Sequence, residues 1–107
     1  MIKNVRKRDG RLVEFEVDKI AGALYKAFGA CYDKVDLKKV YAIAHDVEKR
    51  LEDNESTFPT VELVQDTVEE ILIEEGYVRV AKAYILYRDK RSRSRDMKSI
   101  LLESIEN

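Results

Sequence analysis

The sequence predicts an α+β domain: a four-helix bundle capped by a small sheet, two- or three-stranded, built from an N-terminal hairpin. Three observations carry this. An Asp-Gly pair, Asp9-Gly10, separates two short segments that read as strand. Four later segments repeat apolar residues at helical spacing. At 107 residues with 45% hydrophobic side chains the chain can bury one core, and a bundle with a sheet as its lid is the natural packing for a hairpin followed by helices.

Each element has its own signal. Asp9-Gly10 suits a two-residue type I′ turn, in which both central residues take positive φ, and predicts strands over about residues 2–8 and 11–17. In that register Arg8 faces Arg11 and Arg6 faces Val13, on one side with Ile2, Phe15 and Val17. Asp18 is the expected N-cap of a first helix over about residues 19–28, stopped by Gly29. Asp36 caps a second helix to about Asp53, with Leu37, Val40, Tyr41, Ala44, Val47 and Leu51 on one face. Phe58 precedes Pro59 and is pushed out of the α region, so Ser56–Pro59 reads as an extended piece that can lie beside the hairpin. Thr60 caps a third helix with a stripe of Val61, Val64, Val68, Ile71 and Leu72, ended by Gly76. The fourth begins near Val78 with Val80, Ala81, Tyr84, Ile85 and Tyr87 inward. The apolar pattern then stops. The folded module is expected over residues 1–92, and the tail, 93–107, is either a helical extension or a basic linker toward a domain that this chain lacks.

Composition narrows the chemistry. One cysteine, Cys31, excludes an internal disulfide, and with one histidine, His45, there is no material for Cys/His metal or nucleophile clusters. Both read as incidental, and Tyr77, Tyr84 and Tyr87 are spaced for helix packing. No apolar run reaches membrane-spanning length and the first residues lack a secretory h-region, so a cytoplasmic protein is expected. Net charge is −1 but unevenly spread: residues 1–11 carry five bases against one acid, residues 79–98 eight against two, and residues 45–76 eleven acids against two bases. Two basic poles flank an acidic middle, and Asp66, Glu69, Glu70, Glu74 and Glu75 read as a solvated face.

A lysine- and arginine-rich hairpin over the start of a helix can hold phosphates by charge and by the free N–H groups of the first helical turn. Lys7, Arg8 and Lys19 are the candidate anion contacts. Spacing alone leaves open the plainer reading, that these are solvated charges paired with acidic helices.

The run V-x-K-R-D-G-R-x-V-x-F (Val5–Phe15), then D-K-I (Asp18–Ile20), P-T-V-E (Pro59–Glu62) and V-A-K-A-Y-I-L-Y-R-x-K-R (Val80–Arg91) resembles the ATP-cone, the regulatory nucleotide-binding module of ribonucleotide reductases and of their transcriptional repressor. The resemblance covers residues 3–92 and implies a four-helix bundle with a three-stranded cap, binding ATP or dATP, with magnesium, under the sheet. Carried over by position, Val5 and Ile20 line the adenine pocket and Phe15 packs beside them, roles that also suit plain core residues. Glu16 meets a polar edge of the nucleoside, Lys7, Arg8 and Lys19 hold phosphates, and Thr60 and Lys90 match further positions around the triphosphate. Where many members place a carboxylate that accepts from the adenine amino group this chain has Val13, and Glu16 is the residue that can supply the acceptor.

The resemblance implies an allosteric domain without chemistry of its own, controlling overall reductase activity and so deoxyribonucleotide supply for DNA replication. The implied partner is a reductase catalytic domain or subunit, with nucleotide-dependent oligomerisation and no membrane. Residues 87–107 resemble the lead-in to the catalytic domain of the anaerobic ribonucleoside-triphosphate reductase. The repressor fits less well, because its zinc ribbon precedes the cone and two residues precede Lys3. The competing reading is a nucleic-acid-binding or transcription-regulating module using the basic C-terminal segment, where Arg88–Arg95 holds five cations in eight positions. A nucleotide kinase is excluded by the absence of a G-x-x-x-x-G-K-[ST] loop.

Overall fold

The structure, a computed structural model, describes residues 3–7, 9–53 and 58–91. Among these, a two-stranded antiparallel sheet, β1 (Asn4–Arg6) and β2 (Leu12–Glu14), precedes α1 (Val17–Cys31), α2 (Leu37–Asp53), α3 (Val61–Glu74) and α4 (residues 78–91). The α+β class, with four helices and an N-terminal sheet, is as the sequence predicts. The tail beyond Arg91, with its basic run, lies outside the described residues.

The hairpin departs from expectation in its turn. Asn4 pairs with Glu14, Val5 with Val13 and Arg6 with Leu12, while the Lys7 N–H donates to the Arg11 carbonyl at 2.8 Å. Three residues therefore join the strands, not two. The Gly10 N–H donates to the Lys7 carbonyl at 2.9 Å and only Gly10 of the Asp-Gly pair has positive φ, +88°, which excludes type I′ and matches a three-residue connection closed by a left-handed glycine. Asp9 stabilises it by accepting from the Arg11 N–H and Nε at 3.1 and 2.6 Å. Those contacts hold the Asp9 carboxyl below the usual carboxylate range, the backbone N–H contributing most. The one-residue change of register moves Arg6 away from Val13 and puts Val5, Lys7, Arg11, Val13 and Phe15 on one face. The strands are also shorter than predicted. On the open side of β1 the Arg6 N–H donates to the Pro59 carbonyl, and Arg6 and Thr60 form a parallel bridge. The extended piece before α3 thus touches the hairpin at one point, residues 54–57 lying outside the described set.

The first helix starts two residues early and runs past Gly29. Glu16, not Asp18, occupies the N-cap, and it makes no side-chain hydrogen bond to the first turn. Val17, which alternation with Val13 and Phe15 assigned to a strand, instead packs against the core from the first helical position. Gly29 costs about 1 kcal/mol against alanine inside a helix, but the helix retains contacts beyond it. Cys31 packs against the core, and Tyr32 donates its N–H to the Phe28 carbonyl and stacks on Phe28 at 6.2 Å between ring centroids.

The remaining boundaries follow the caps. Asp36 Oδ1 accepts from the Lys38 N–H, and Thr60 Oγ1 from the Leu63 N–H at 3.1 Å. The third helix ends on Gly76, φ +87°, with the Tyr77 N–H on the Leu72 carbonyl and the Gly76 N–H on the Ile73 carbonyl, the paired bonds of a Schellman stop. One core collects Leu24 and Phe28 of α1, Val40, Ile43, Val47 and Leu51 of α2, Val68, Ile71 and Leu72 of α3, and Val80 and Tyr84 of α4. Ile85 and Tyr87 are half-buried, and the ring of Tyr77 meets Phe28 edge-on at 5.1 Å. At the other end of the bundle the hairpin stands over the helices, and that arrangement opens a cleft.

Candidate functional site

The cleft has a volume of about 1050 Å³, at the upper end of what small-molecule sites occupy. Its roof is the odd-numbered face of the hairpin: Val5, Lys7, Arg11, Val13 and Phe15. Its floor is the first two turns of α1, with Lys19, Ile20 and Ala23. One wall comes from the start of α3, Val61, Val64 and Gln65, and the other from the end of α4, Tyr84, Arg88 and Arg91. Strand alternation puts Val5 and Lys7 on the same face, and Arg11 with Val13 and Phe15, while Asp9, Glu14, Glu16, Glu62, Asp66 and Asp89 line the cleft beside its cations.

Of the residues singled out from the sequence, Val5, Lys7, Phe15, Glu16, Lys19 and Ile20 all line this cleft. Thr60 and Lys90 do not. Thr60 is occupied as the cap of α3, and Lys90 is exposed on a different side of α4 from Arg88. Arg8 lies outside the described residues. Arg11, Val13, Gln65, Arg88 and Arg91 were missed as lining residues. Helical spacing held a signal for two of them, since positions 84, 88 and 91 share one face with the buried Tyr84.

Several of the cations that line the cleft carry a carboxylate partner. Lys19 Nζ is 3.0 Å from Glu16 Oε2, and Arg11 Nε is 2.6 Å from Asp9 Oδ2. Both pairs are largely exposed, so each is worth at most about 1 kcal/mol and yields readily to a stronger anion. Glu16 gives the first turn of α1 no side-chain cap, and the Lys19 N–H donates to the Glu16 carbonyl at 3.2 Å. Deeper in, Arg88 Nη2 lies 3.1 Å from Glu69 Oε1, and Arg88 Nη1 donates to Gln65 Oε1 at 3.0 Å. Glu69 therefore belongs to this half-buried pair and not to a solvated acidic face. Burial pushes its carboxyl up, against the lowering pull of Arg88, and burial pushes the Tyr84 phenol up to about 12.

No group of three or more His, Cys, Asp or Glu among the described residues is arranged to hold a metal ion, and no helix among them is long and apolar enough to cross a membrane. Cys31 is half-buried, and His45 is exposed, 3.7 Å from Glu48.

A helical bundle whose sheet roofs a cleft lined by apolar side chains and by charges of both signs defines a class: a small module with a ligand-sized cleft. Comparison with known proteins gives that class its family. The family model described as the ATP cone domain matches residues 3–93, and the chain belongs to this family of nucleotide-binding regulatory modules. It is similar to the vitamin B12-dependent ribonucleoside-diphosphate reductase of Thermoplasma acidophilum, 42% identical over 94% of this chain and 13% of that protein. It is also similar to the ribonucleoside-diphosphate reductase subunit alpha of Chlamydia trachomatis, 35% identical over 87% of the chain and 10% of the relative. The anaerobic ribonucleoside-triphosphate reductase of Haemophilus influenzae is 33% identical over 95% of the chain and 14% of its own length. The match thus spans 10–14% of these relatives, which represent several reductase types beside the anaerobic one.

Proposed function

We propose that this domain binds ATP or dATP in the cleft and through it controls the overall activity of a ribonucleotide reductase, contributing no chemistry itself. The observation that carries the reading is the hairpin register, which brings Val5, Val13 and Phe15 together with Lys7 and Arg11 over Ile20 and Lys19. Apolar side chains from the hairpin and α1 suit a base, and Lys7, Arg11 and Lys19 among the charged residues of the lining suit a triphosphate. Val5 and Ile20 flank the adenine, with Phe15 packed beside them and Glu16 at a polar edge. Lys7, Arg8 and Lys19 meet the phosphates, Lys19 releasing Glu16 as it does so. For Thr60 and Lys90 the family resemblance is the sole support. Magnesium arrives on the triphosphate, which suits a cleft that has carboxylates at its edge but no protein-only metal cage among the described residues.

ATP and dATP differ by one hydroxyl, and each shifts a population only by its differential affinity for two quaternary arrangements. The partner in this reading is the reductase catalytic domain or subunit, in the cytoplasm, with oligomeric state as the output. Thermal melts with ATP, dATP, GTP and CTP test the binding step, because a ligand of the folded state raises the midpoint by mass action. Upward shifts with both adenine nucleotides, larger than with GTP or CTP, are expected, and no shift with either rejects the reading.

A further inference from the structure

Arg88 has no part in the nucleotide contacts carried over from the family, yet it lines the cleft with a guanidinium that is incompletely satisfied. Its Nη1 donates to Gln65 Oε1 at 3.0 Å. Its Nη2 is 3.1 Å from Glu69 Oε1, but that oxygen is buried and receives no aligned hydrogen bond. Its Nε is buried without an acceptor, and Asp89 Oδ1 lies 3.9 Å away. Buried N–H donors and carboxylate oxygens without partners are uncommon and costly, more so when charged. Here an unpaired donor and an unpaired acceptor belong to the two halves of one ion pair.

We propose that Arg88 is a phosphate-contacting residue held on α3 by Gln65 and Glu69 while the cleft is empty, and that it exchanges Glu69 for a ligand phosphate oxygen on binding. This deepens the nucleotide reading above and rests on it. A guanidinium prefers an acceptor aligned with its fork, and a phosphate oxygen offers Nε the charge-assisted bond that Glu69 does not. Because Glu69 and Gln65 are on α3 and Arg88 on α4, the exchange alters the contact between these helices when the cleft fills. The domain would then carry ligand occupancy outward through α3 and α4 as well as through the hairpin.

Calorimetric titration of the chain with ATP, adenosine and tripolyphosphate tests this, using Arg88→Met, Glu69→Gln and the double variant. Arg88→Met is expected to weaken ATP at least about tenfold and leave adenosine within about twofold. Glu69→Gln removes the competing charge and is expected to tighten ATP by about threefold only while Arg88 is present, whereas a general charge effect would persist in the Arg88→Met background. The double variant should bind ATP as weakly as Arg88→Met, and tripolyphosphate should follow ATP throughout. Should Arg88→Met fail to fold, Arg88→Gln replaces it in the single and double variants, and no tightening by Glu69→Gln, or the same tightening without Arg88, overturns the proposal. ATP and adenosine weakened alike by Arg88→Met, or neither weakened, overturns it while leaving the nucleotide reading intact. A wild-type chain that binds no ATP overturns both.

Discussion

The two halves of α3 carry the same apolar spacing and do different work. Toward its C-terminus Val68, Ile71 and Leu72 are sealed against the other helices, and Thr67 buries its hydroxyl by donating to the Leu63 carbonyl at 2.7 Å. Toward its N-terminus Val61, Val64 and Gln65 are only half-buried and face the cleft. One stripe thus serves as core at one end and as binding wall at the other. The difference lies in what stands opposite. Helices pack to contact along the lower half, whereas the hairpin touches α3 through the Arg6–Thr60 bridge and leaves room beneath it. Helical period reports which side of a helix faces inward but not whether the space there is filled.

The contrast can be broken at either end. At the sealed end Leu72→Ala should cost about 2–5 kcal/mol, a transfer loss plus a cavity the neighbours cannot fill, measured by denaturant unfolding. Variants that remain folded should keep wild-type nucleotide affinity. At the open end Lys7→Ala and Lys19→Ala should each weaken ATP by about 1.5–3 kcal/mol and adenosine little, since each removes a charge-assisted contact. The stability of the empty domain should stay within about 0.5 kcal/mol of wild type, as is usual at the surface. Equal losses for ATP and adenosine, or none, would mean the hairpin tip is not a triphosphate clamp. Thr60→Ala lies at the boundary. It should cost about 1 kcal/mol of stability through the lost cap, and lower ATP affinity less than Lys19→Ala does.

The sequence revealed the helices better than the sheet. Caps at Asp36 and Thr60, a glycine stop at Gly76 and long apolar stripes place α2, α3 and the start of α4, because each signal is a local backbone requirement. Asp9-Gly10 is ambiguous in a way these are not. The pair serves a two-residue turn with both residues at positive φ or a three-residue turn with glycine alone there, and one residue of register reverses every side chain. Read as a two-residue turn, it separates Val5 and Lys7 from Phe15 and hides the cleft's roof. In the first helix Val17 fits strand alternation and helical packing equally, and Gly29 stops a helix only if nothing beyond it packs, which Cys31 does. Six of the nine residues carried over from the motifs do line the cleft, since those motifs encode a face and not merely a composition. Lys90 sits two residues from Arg88, about 200° around the helix, so the motif's basic end alone does not say which cation points in.

Nuclear magnetic resonance titration of the isotope-labelled chain with ATP tests the central claim most directly, because it separates cleft from core residue by residue. Saturable shifts are predicted at the amides of Val5, Lys7, Phe15, Lys19, Ile20 and Ala23, with Ile43, Val47 and Leu72 in the sealed core nearly unmoved. Shifts confined to the basic segment after Tyr87, or none anywhere at millimolar ATP, would contradict a nucleotide site beneath the hairpin.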